Sequence, residues 1–83
     1  MENKKVLIDV RTPMEFNMGH AEGSINIPLD EVVDRIDEIK KFTAPTFVCA
    51  SGARSGSVVD YLVGQGFECE NGGSWVFHQG GAN

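Results

Sequence analysis

The chain has 83 residues, of which 41% are hydrophobic and 23% are charged, and its net charge at pH 7 is −5. This length predicts one domain over residues 1–83, with its core at about 6–73. The acidic balance excludes nucleic acid as the main partner, which needs a basic face, and no apolar run approaches the ~20 residues that span a bilayer.

The N-terminal part of the chain predicts a strand, a short helix and a second strand. Residues 6–10 are apolar and rich in β-branched side chains, as in a strand buried on both faces. Thr12 followed by Glu15 forms a capping-box pattern that begins a helix, which Gly19 ends. Residues 24–28 predict a brief second strand that a proline stops.

Residues 29–39 carry apolar side chains at helical spacing and predict an amphipathic helix of about three turns. Its polar side contains two possible i,i+4 ion pairs, Glu31–Arg35 and Asp37–Lys41. The apolar positions of this segment are Leu29, Val32, Val33, Ile36 and Ile39.

The second half predicts a strand at residues 46–49, a tight turn, and a helix from about Arg54 to Gly64. Residues 67–69 read as a last strand, and Gly72-Gly73 as the beginning of an irregular tail. The alternation of strands and helices predicts an α/β fold, a small, mostly parallel sheet flanked by helices. Ligands of such sheets gather beyond the carboxyl ends of the strands, where Cys49 lies.

Two cysteines, Cys49 and Cys69, are too few for a disulfide scaffold, and they form no C-x-x-C pair. With only His20 and His78 as further ligands, a zinc site is poorly supported. We therefore expect at least one free thiol and no metal.

The segment after Cys49 has the composition of an anion-binding loop. Small side chains let successive backbone N–H groups approach an anion, and the next helix adds its N-terminal N–H groups and dipole. Arg54 is the single Lys or Arg beyond Lys41. Free cysteines are mostly inert packing groups, but this setting favours a thiolate nucleophile. The predicted site consists of Cys49 as nucleophile and of the substrate-binding residues Ala50, Ser51, Gly52, Ala53, Arg54 and Ser55.

Four blocks, in order along most of the chain, resemble the motifs of rhodanese domains, and those of small bacterial members such as the phage-shock type most closely. The active loop Cys-x-x-Gly-x-Arg-Ser matches residues 49–55. The opening block matches residues 8–20, the second block residues 23–28, and the closing signals Gly66-Phe67 and Gly72-Gly73.

This resemblance implies a rhodanese-like fold and transfer of sulfane sulfur through a persulfide on Cys49. The implied donor is thiosulfate or a persulfide, and the acceptor is cyanide or a thiol. The backbone from Ala50 to Ser55 would cradle the persulfide, without a metal or organic cofactor. The loop lacks the additional basic residue of some thiosulfate-using members, so Arg54 alone would bind thiosulfate weakly. We expect a monomer in the cytoplasm, or in the periplasm if a leader was removed.

Two other functions remain open on the sequence. Cysteine phosphatases resemble Cys-x5-Arg, whereas four residues separate Cys49 from Arg54, a narrower cradle that suits a sulfur atom better than a phosphate. A non-enzymatic sulfur carrier or binding domain is the second alternative, although inactive relatives commonly lack the loop cysteine.

Several further residues invite a functional interpretation, and a structural one is favoured for most of them. Asp9 and Arg11 match family positions, but buried charges must be paired, and Arg11 is expected to bond to Glu15 or to a neighbouring loop. His20 is expected to be structural, because an ionised thiol needs no base. Cys69 could be a resolving thiol or a small apolar strand residue. The roles of Trp75, Phe77 and His78, as cover of the sheet or rim of the pocket, stay open.

Overall fold

The computed structural model describes residues 6–79. Its four strands form one sheet in the order β2-β1-β3-β4, and every neighbouring pair is parallel. Within residues 6–79, no helix is both long and apolar enough to cross a membrane. The strands are β1 (Leu7–Asp9), β2 (Ile25–Asn26), β3 (Thr46–Cys49) and β4 (Glu70–Ser74), and the α-helices are α1 (Pro13–Met18), α2 (Ile36–Ile39) and α3 (Ala53–Gly64).

The two central strands, β1 and β3, are buried along their whole length, as their apolar sequences predict. Successive side chains of a strand point to opposite faces of the sheet. On one face Ile8 and Phe47 pack in a cluster with side chains from α2 and α3. On the other face Leu7 and Val48 pack with Ala21 and the half-buried Trp75. Apolar contacts on both faces hold β3, and with it Cys49, in the middle of the molecule.

The predicted capping box of α1 is confirmed. The backbone N–H of Glu15 donates to Oγ1 of Thr12 at 3.2 Å, and the N–H of Thr12 donates to Oε1 of Glu15 at 3.0 Å. The helix ends before Gly19, as predicted. Local capping thus fixes the position of the Glu15 carboxylate.

The prediction of a single helix over residues 29–39 is wrong. A 3₁₀ turn, Leu29–Glu31, is separated from α2 by residues 32–35, and Arg35 has non-helical φ and ψ of −111° and 23°. The N–H of Leu29 donates to the carbonyl oxygen of Val10 at 3.0 Å, which ties the start of the segment to the end of β1. The apolar spacing did identify two buried core residues, Val32 and Ile39, and the Glu31–Arg35 pair forms at 3.1 Å.

The last strand begins three residues later than predicted, because Phe67 still closes the C-terminal end of α3. The N–H of Phe67 donates to the carbonyl oxygen of Leu62 at 2.9 Å, the longer bond of a Schellman motif. The Gly72-Gly73 pair, predicted to begin an irregular tail, belongs to β4. A Cβ at Gly72 would lie 2.6 Å from Cγ2 of Thr46, so glycine allows β4 to approach β3 closely.

Candidate active site

Cys49 is the last residue of β3, between β1 and β4, and only 1% of its surface is exposed. The carboxyl ends of all four parallel strands lie at the same edge of the sheet. The loop that follows Cys49 leads directly into α3. The geometry therefore brings the cysteine to the expected ligand-binding edge of the sheet.

Three donors of the loop and of the first turn of α3 surround Sγ of Cys49. The backbone N–H of Gly52 lies 3.0 Å from Sγ, and the backbone N–H and hydroxyl of Ser55 each lie 3.4 Å away. Gly52, whose N–H faces the sulfur, adopts the left-handed φ of +101°, which non-glycine residues rarely adopt. Such convergent N–H groups stabilise a negative charge on the sulfur.

These donors lower the pKa of the Cys49 thiol in spite of its burial. Desolvation raises the pKa, but hydrogen bonds from the hydroxyl and N–H of Ser55 and from the N–H groups of Gly52 and Ser51 outweigh it, and the pKa falls from 9.0 to about 7. Part of the population therefore carries a thiolate near neutral pH.

The predicted substrate-binding residues form the loop after Cys49 and the first turn of α3, but Arg54 does not offer a free charge there. Its guanidinium binds the carboxylate of Glu15 in α1 at two points, 2.8 Å and 3.1 Å. Ala50, Ser51 and Ala53 are exposed, whereas Ser55 is fully buried beside the sulfur. Sequence reasoning missed Glu15 as part of this site, because the capping box already explained the glutamate at this position.

Asn71 in β4 is a second residue of the site that sequence reasoning missed. Its Oδ1 accepts a hydrogen bond of 2.6 Å from the Ser55 hydroxyl, and its Nδ2 donates to the carbonyl oxygen of Gly52 at 3.0 Å. Asn71 thus contacts the loop on both sides of Arg54. Its place next to Gly72 in a predicted tail gave no signal of this contact.

The comparisons with known proteins identify the family to which this site belongs. The family model described as "Rhodanese-like domain" matches residues 1–78. The chain belongs to this family. The predicted family is therefore confirmed, while the narrower likeness to the phage-shock type stays a prediction.

Two curated relatives are named as sulfurtransferases. The chain is 36% identical over 62 residues to a sulfurtransferase of Allochromatium vinosum, covering 75% of this chain and 58% of that protein. It is 38% identical over 66 residues to thiosulfate sulfurtransferase GlpE of Pseudomonas syringae, covering 80% and 62%. The matches therefore span 58% and 62% of the lengths of these relatives.

A solved structure confirms the predicted fold class. The rhodanese-like domain protein of Staphylococcus aureus has a TM-score of 0.80 and 31% identity, covering 96% of this chain and 78% of that one. The chain thus has the small α/β fold of rhodanese-like domains, with a parallel sheet and helices.

In this rhodanese-like domain Asp9 and Arg11 form a buried ion pair at the carboxyl end of β1. Nη2 of Arg11 lies 2.8 Å from the Asp9 carboxylate and 2.7 Å from the carbonyl oxygen of Gly19. Nη1 donates to the carbonyl oxygen of Glu15 at 3.3 Å, and the guanidinium lies 4.6 Å from the ring centre of Trp75. The expected bonding of Arg11 to Glu15 and a loop is confirmed, and it anchors the end of α1.

The remaining candidates have contacts that fit structural roles. His20 is exposed, its Nδ1 donates a 2.8 Å hydrogen bond to the carbonyl oxygen of Phe16, and its ring stacks on the Phe16 ring with 3.7 Å between the centroids. Cys69 is a free, half-buried thiol just before β4, and burial raises its pKa. Among residues 6–79, no group of three or more His, Cys, Asp or Glu side chains is placed to hold a metal ion.

Proposed function

We propose that this rhodanese-like domain is a sulfurtransferase that carries sulfane sulfur as a persulfide on Cys49. The observation that carries the proposal is the convergence of the Gly52 and Ser55 donors on Sγ of Cys49 at the end of a central strand. A nucleophile with a pKa of about 7 is ionised in part at neutral pH, so attack on sulfur needs no separate base.

The proposed cycle has two displacements and is redox-neutral overall. The Cys49 thiolate attacks the outer sulfur of a donor such as thiosulfate. A bond to Sγ forms, the bond between the two donor sulfurs breaks, and its electron pair leaves with sulfite. Cyanide or a thiolate then attacks the outer sulfur of the persulfide, and Cys49 leaves as a thiolate.

The backbone of residues 50–55 is proposed to hold the outer sulfur during this cycle. Small side chains leave the loop open to a donor, and the first turn of α3 directs its positive dipole end at the same place. Arg54 is proposed to attract the anionic donor when its bond to Glu15 loosens. A thiol persulfide carries less charge than thiosulfate, so the pairing of Arg54 favours a persulfide as donor.

Intact mass and turnover test the proposal together. The reduced protein is incubated with thiosulfate, or with a low-molecular-weight persulfide, and weighed; cyanide is then added and thiocyanate followed. We expect a gain of one sulfur atom on Cys49 and catalytic thiocyanate formation. Cys49→Ala should abolish both, while Cys69→Ala serves as the matched control and should retain them. Absence of any sulfur gain from either donor would refute the proposal.

The Glu15–Arg54 ion pair also favours a second candidate, a sulfur carrier that a protein persulfide loads. A carrier would accept one sulfur on Cys49 and release it to a thiol, but would not turn over with thiosulfate and cyanide. In a separate assay, hydrolysis of a phenyl phosphate ester that is lost in Cys49→Ser would instead indicate a cysteine phosphatase. The monomeric state, the compartment and the lack of a cofactor stay predictions.

A further inference from the structure

The Ser55 hydroxyl has one hydrogen and two possible acceptors in the site. Its Oγ lies 2.6 Å from Oδ1 of Asn71 and 3.4 Å from Sγ of Cys49. A serine hydroxyl can donate only one hydrogen bond at a time. The shorter distance favours Asn71 as the acceptor while Cys49 is uncharged.

The contacts of Asn71 fix which of its two side-chain ends faces Ser55. The backbone N–H of Gly73 donates to Oδ1 at 3.0 Å, and Nδ2 donates to the carbonyl oxygen of Gly52 at 3.0 Å. If the amide were flipped, Nδ2 would face the N–H donor of Gly73 and Oδ1 would face the carbonyl oxygen of Gly52. Because Oδ1 can only accept, the hydroxyl hydrogen of Ser55 must point to Asn71 in this arrangement.

This orientation suits the thiol form of Cys49 and opposes the thiolate. When its hydroxyl hydrogen points to Asn71, Ser55 presents a lone pair of Oγ to Sγ. The S–H group of the thiol form can donate a hydrogen bond to that lone pair. A thiolate needs a donor, so the hydroxyl must turn away from Asn71 when Cys49 ionises. We propose that Asn71 is a positioning residue that favours the thiol form of Cys49 by competing with its sulfur for the hydroxyl hydrogen of Ser55.

The inference deepens the proposed function, since it concerns the activation of the cysteine that would carry sulfur. Hydrogen bonding by Ser55 is one cause of the lowered pKa of Cys49, and turning the hydroxyl costs the bond to Asn71. Removing Asn71 removes that cost. The net free energy of an ordinary hydrogen bond corresponds to a change of about half to one unit in the pKa of Cys49.

The charged groups around Cys49 are not altered by an uncharged substitution at position 71. These charged groups and their partners lie on β3's neighbouring elements. They are Arg54 paired with Glu15, Asp9 paired with Arg11, His78 at the carbonyl oxygen of Gly72, and Glu70 at the hydroxyl of Thr46. Asn71→Ala therefore changes no charge near Cys49. It also removes the bonds of Asn71 to Gly52 and Gly73, and the Ser55→Ala background separates their effect from that of the Ser55 bond.

The test is the pH dependence of Cys49 alkylation by iodoacetamide, measured in a Cys69→Ala background. Asn71→Ala is expected to lower the pKa of Cys49 by about half to one unit. The same substitution in a Ser55→Ala background is expected to leave the pKa unchanged. A rise or no change on Asn71→Ala would overturn the inference. An equal fall in both backgrounds would also overturn it, because Asn71 would then act through the loop and not through Ser55.

Circular dichroism and thermal unfolding check that each variant folds. If Asn71→Ala does not fold, Asn71→Asp replaces it, because aspartate keeps the acceptor for Ser55 and Gly73. The charge of the aspartate should hold the hydroxyl hydrogen of Ser55 more firmly and raise the pKa of Cys49. The rise should be smaller in the Ser55→Ala background. Equal rises in both backgrounds would reject the mechanism. Alkylation needs no sulfur donor. Failure of Cys49 to accept sulfur would therefore refute the proposed function, whereas the alkylation result would still decide the role of Asn71.

Discussion

Glu15 and Arg54, 39 residues apart in the chain, form a two-point ion pair that joins α1 to the first turn of α3. The same Glu15 carboxylate closes the capping box of α1 by accepting from Thr12. The one cation of the active loop is therefore compensated in the resting structure. This arrangement bears directly on how an anionic sulfur donor would bind.

Glu15→Gln is expected to raise the rate of sulfur loading from thiosulfate by about two- to fivefold, because it frees the Arg54 charge from a partly exposed ion pair. Glutamine keeps the oxygen that caps α1, so the helix should remain. The measurement is the second-order rate of mass gain on Cys49 at low ionic strength.

The matched control for net charge is Glu38→Gln, which removes one partner of Arg35 on α2. It should change the loading rate much less than Glu15→Gln does. Equal effects of the two variants would mean that overall charge, and not the release of Arg54, controls donor binding. A lower rate in Glu15→Gln would show that the intact pair is the binding form.

Acid should weaken the structure through the same carboxylate. Hydrogen bonding to Arg54, and then to the N–H of Thr12, lowers the pKa of Glu15 from 4.5 to about 2. A lowered folded-state pKa contributes stability that is complete above 4.5 and is lost as the pH falls towards 2. In urea unfolding between pH 6 and pH 2, the advantage of the wild type over Glu15→Gln should shrink with falling pH. A constant difference would contradict this.

Sulfur loading should follow the ionisation of Cys49. Its pKa of about 7 predicts a loading rate that rises from pH 5.5 to about 8 and then levels. Ser55→Ala removes the hydroxyl donor and should move the profile to higher pH by about half to one unit. Ser57→Ala on the same helix is the control, because its hydroxyl donates to the carbonyl oxygen of Ala53 and not to Cys49. A shift in both variants would mean that α3, and not the hydroxyl of Ser55, sets the profile.

The cysteine loop could be predicted from the sequence because its parts are adjacent in the chain. Cys49, the small residues and Arg54 lie within one short segment, and buried strands such as Thr46–Cys49 carry an obvious apolar signal. Glu15 and Asn71 reach the loop from distant positions, so no local pattern indicates them. Tertiary contacts, which the spacing of residues does not encode, complete the site.

The two errors in the predicted fold have the same kind of cause. Apolar spacing over residues 29–39 identified Val32 and Ile39 as core residues, but it did not indicate that the segment divides into a 3₁₀ turn and α2, with non-helical φ and ψ at Arg35. Glycine at positions 72 and 73 is typical of a loop. In β4, the close approach of β3 explains glycine at position 72, and a left-handed φ of +79° explains glycine at position 73.

Gly72→Ala tests that explanation of β4. The added Cβ would lie 2.6 Å from Cγ2 of Thr46, 2.9 Å from Nε2 of His78 and 3.0 Å from Cγ1 of Val48. Two of these contacts are with β-branched side chains of the buried strand β3, so relief needs a shift of β4. We expect a loss of about 1–3 kcal/mol in the free energy of unfolding, measured in urea.

Gly64→Ala, at the last residue of α3, is the matched control for that loss. A Cβ at Gly64 meets no described atom within 4 Å, and alanine favours a helix over glycine by up to about 1 kcal/mol. This variant should be as stable as the wild type or slightly more stable. Equal losses in both variants would argue against close packing at Gly72. Because Asn71 precedes Gly72, a displaced β4 should also weaken the bond to Ser55 and change the pH profile of Cys49 alkylation in Gly72→Ala alone.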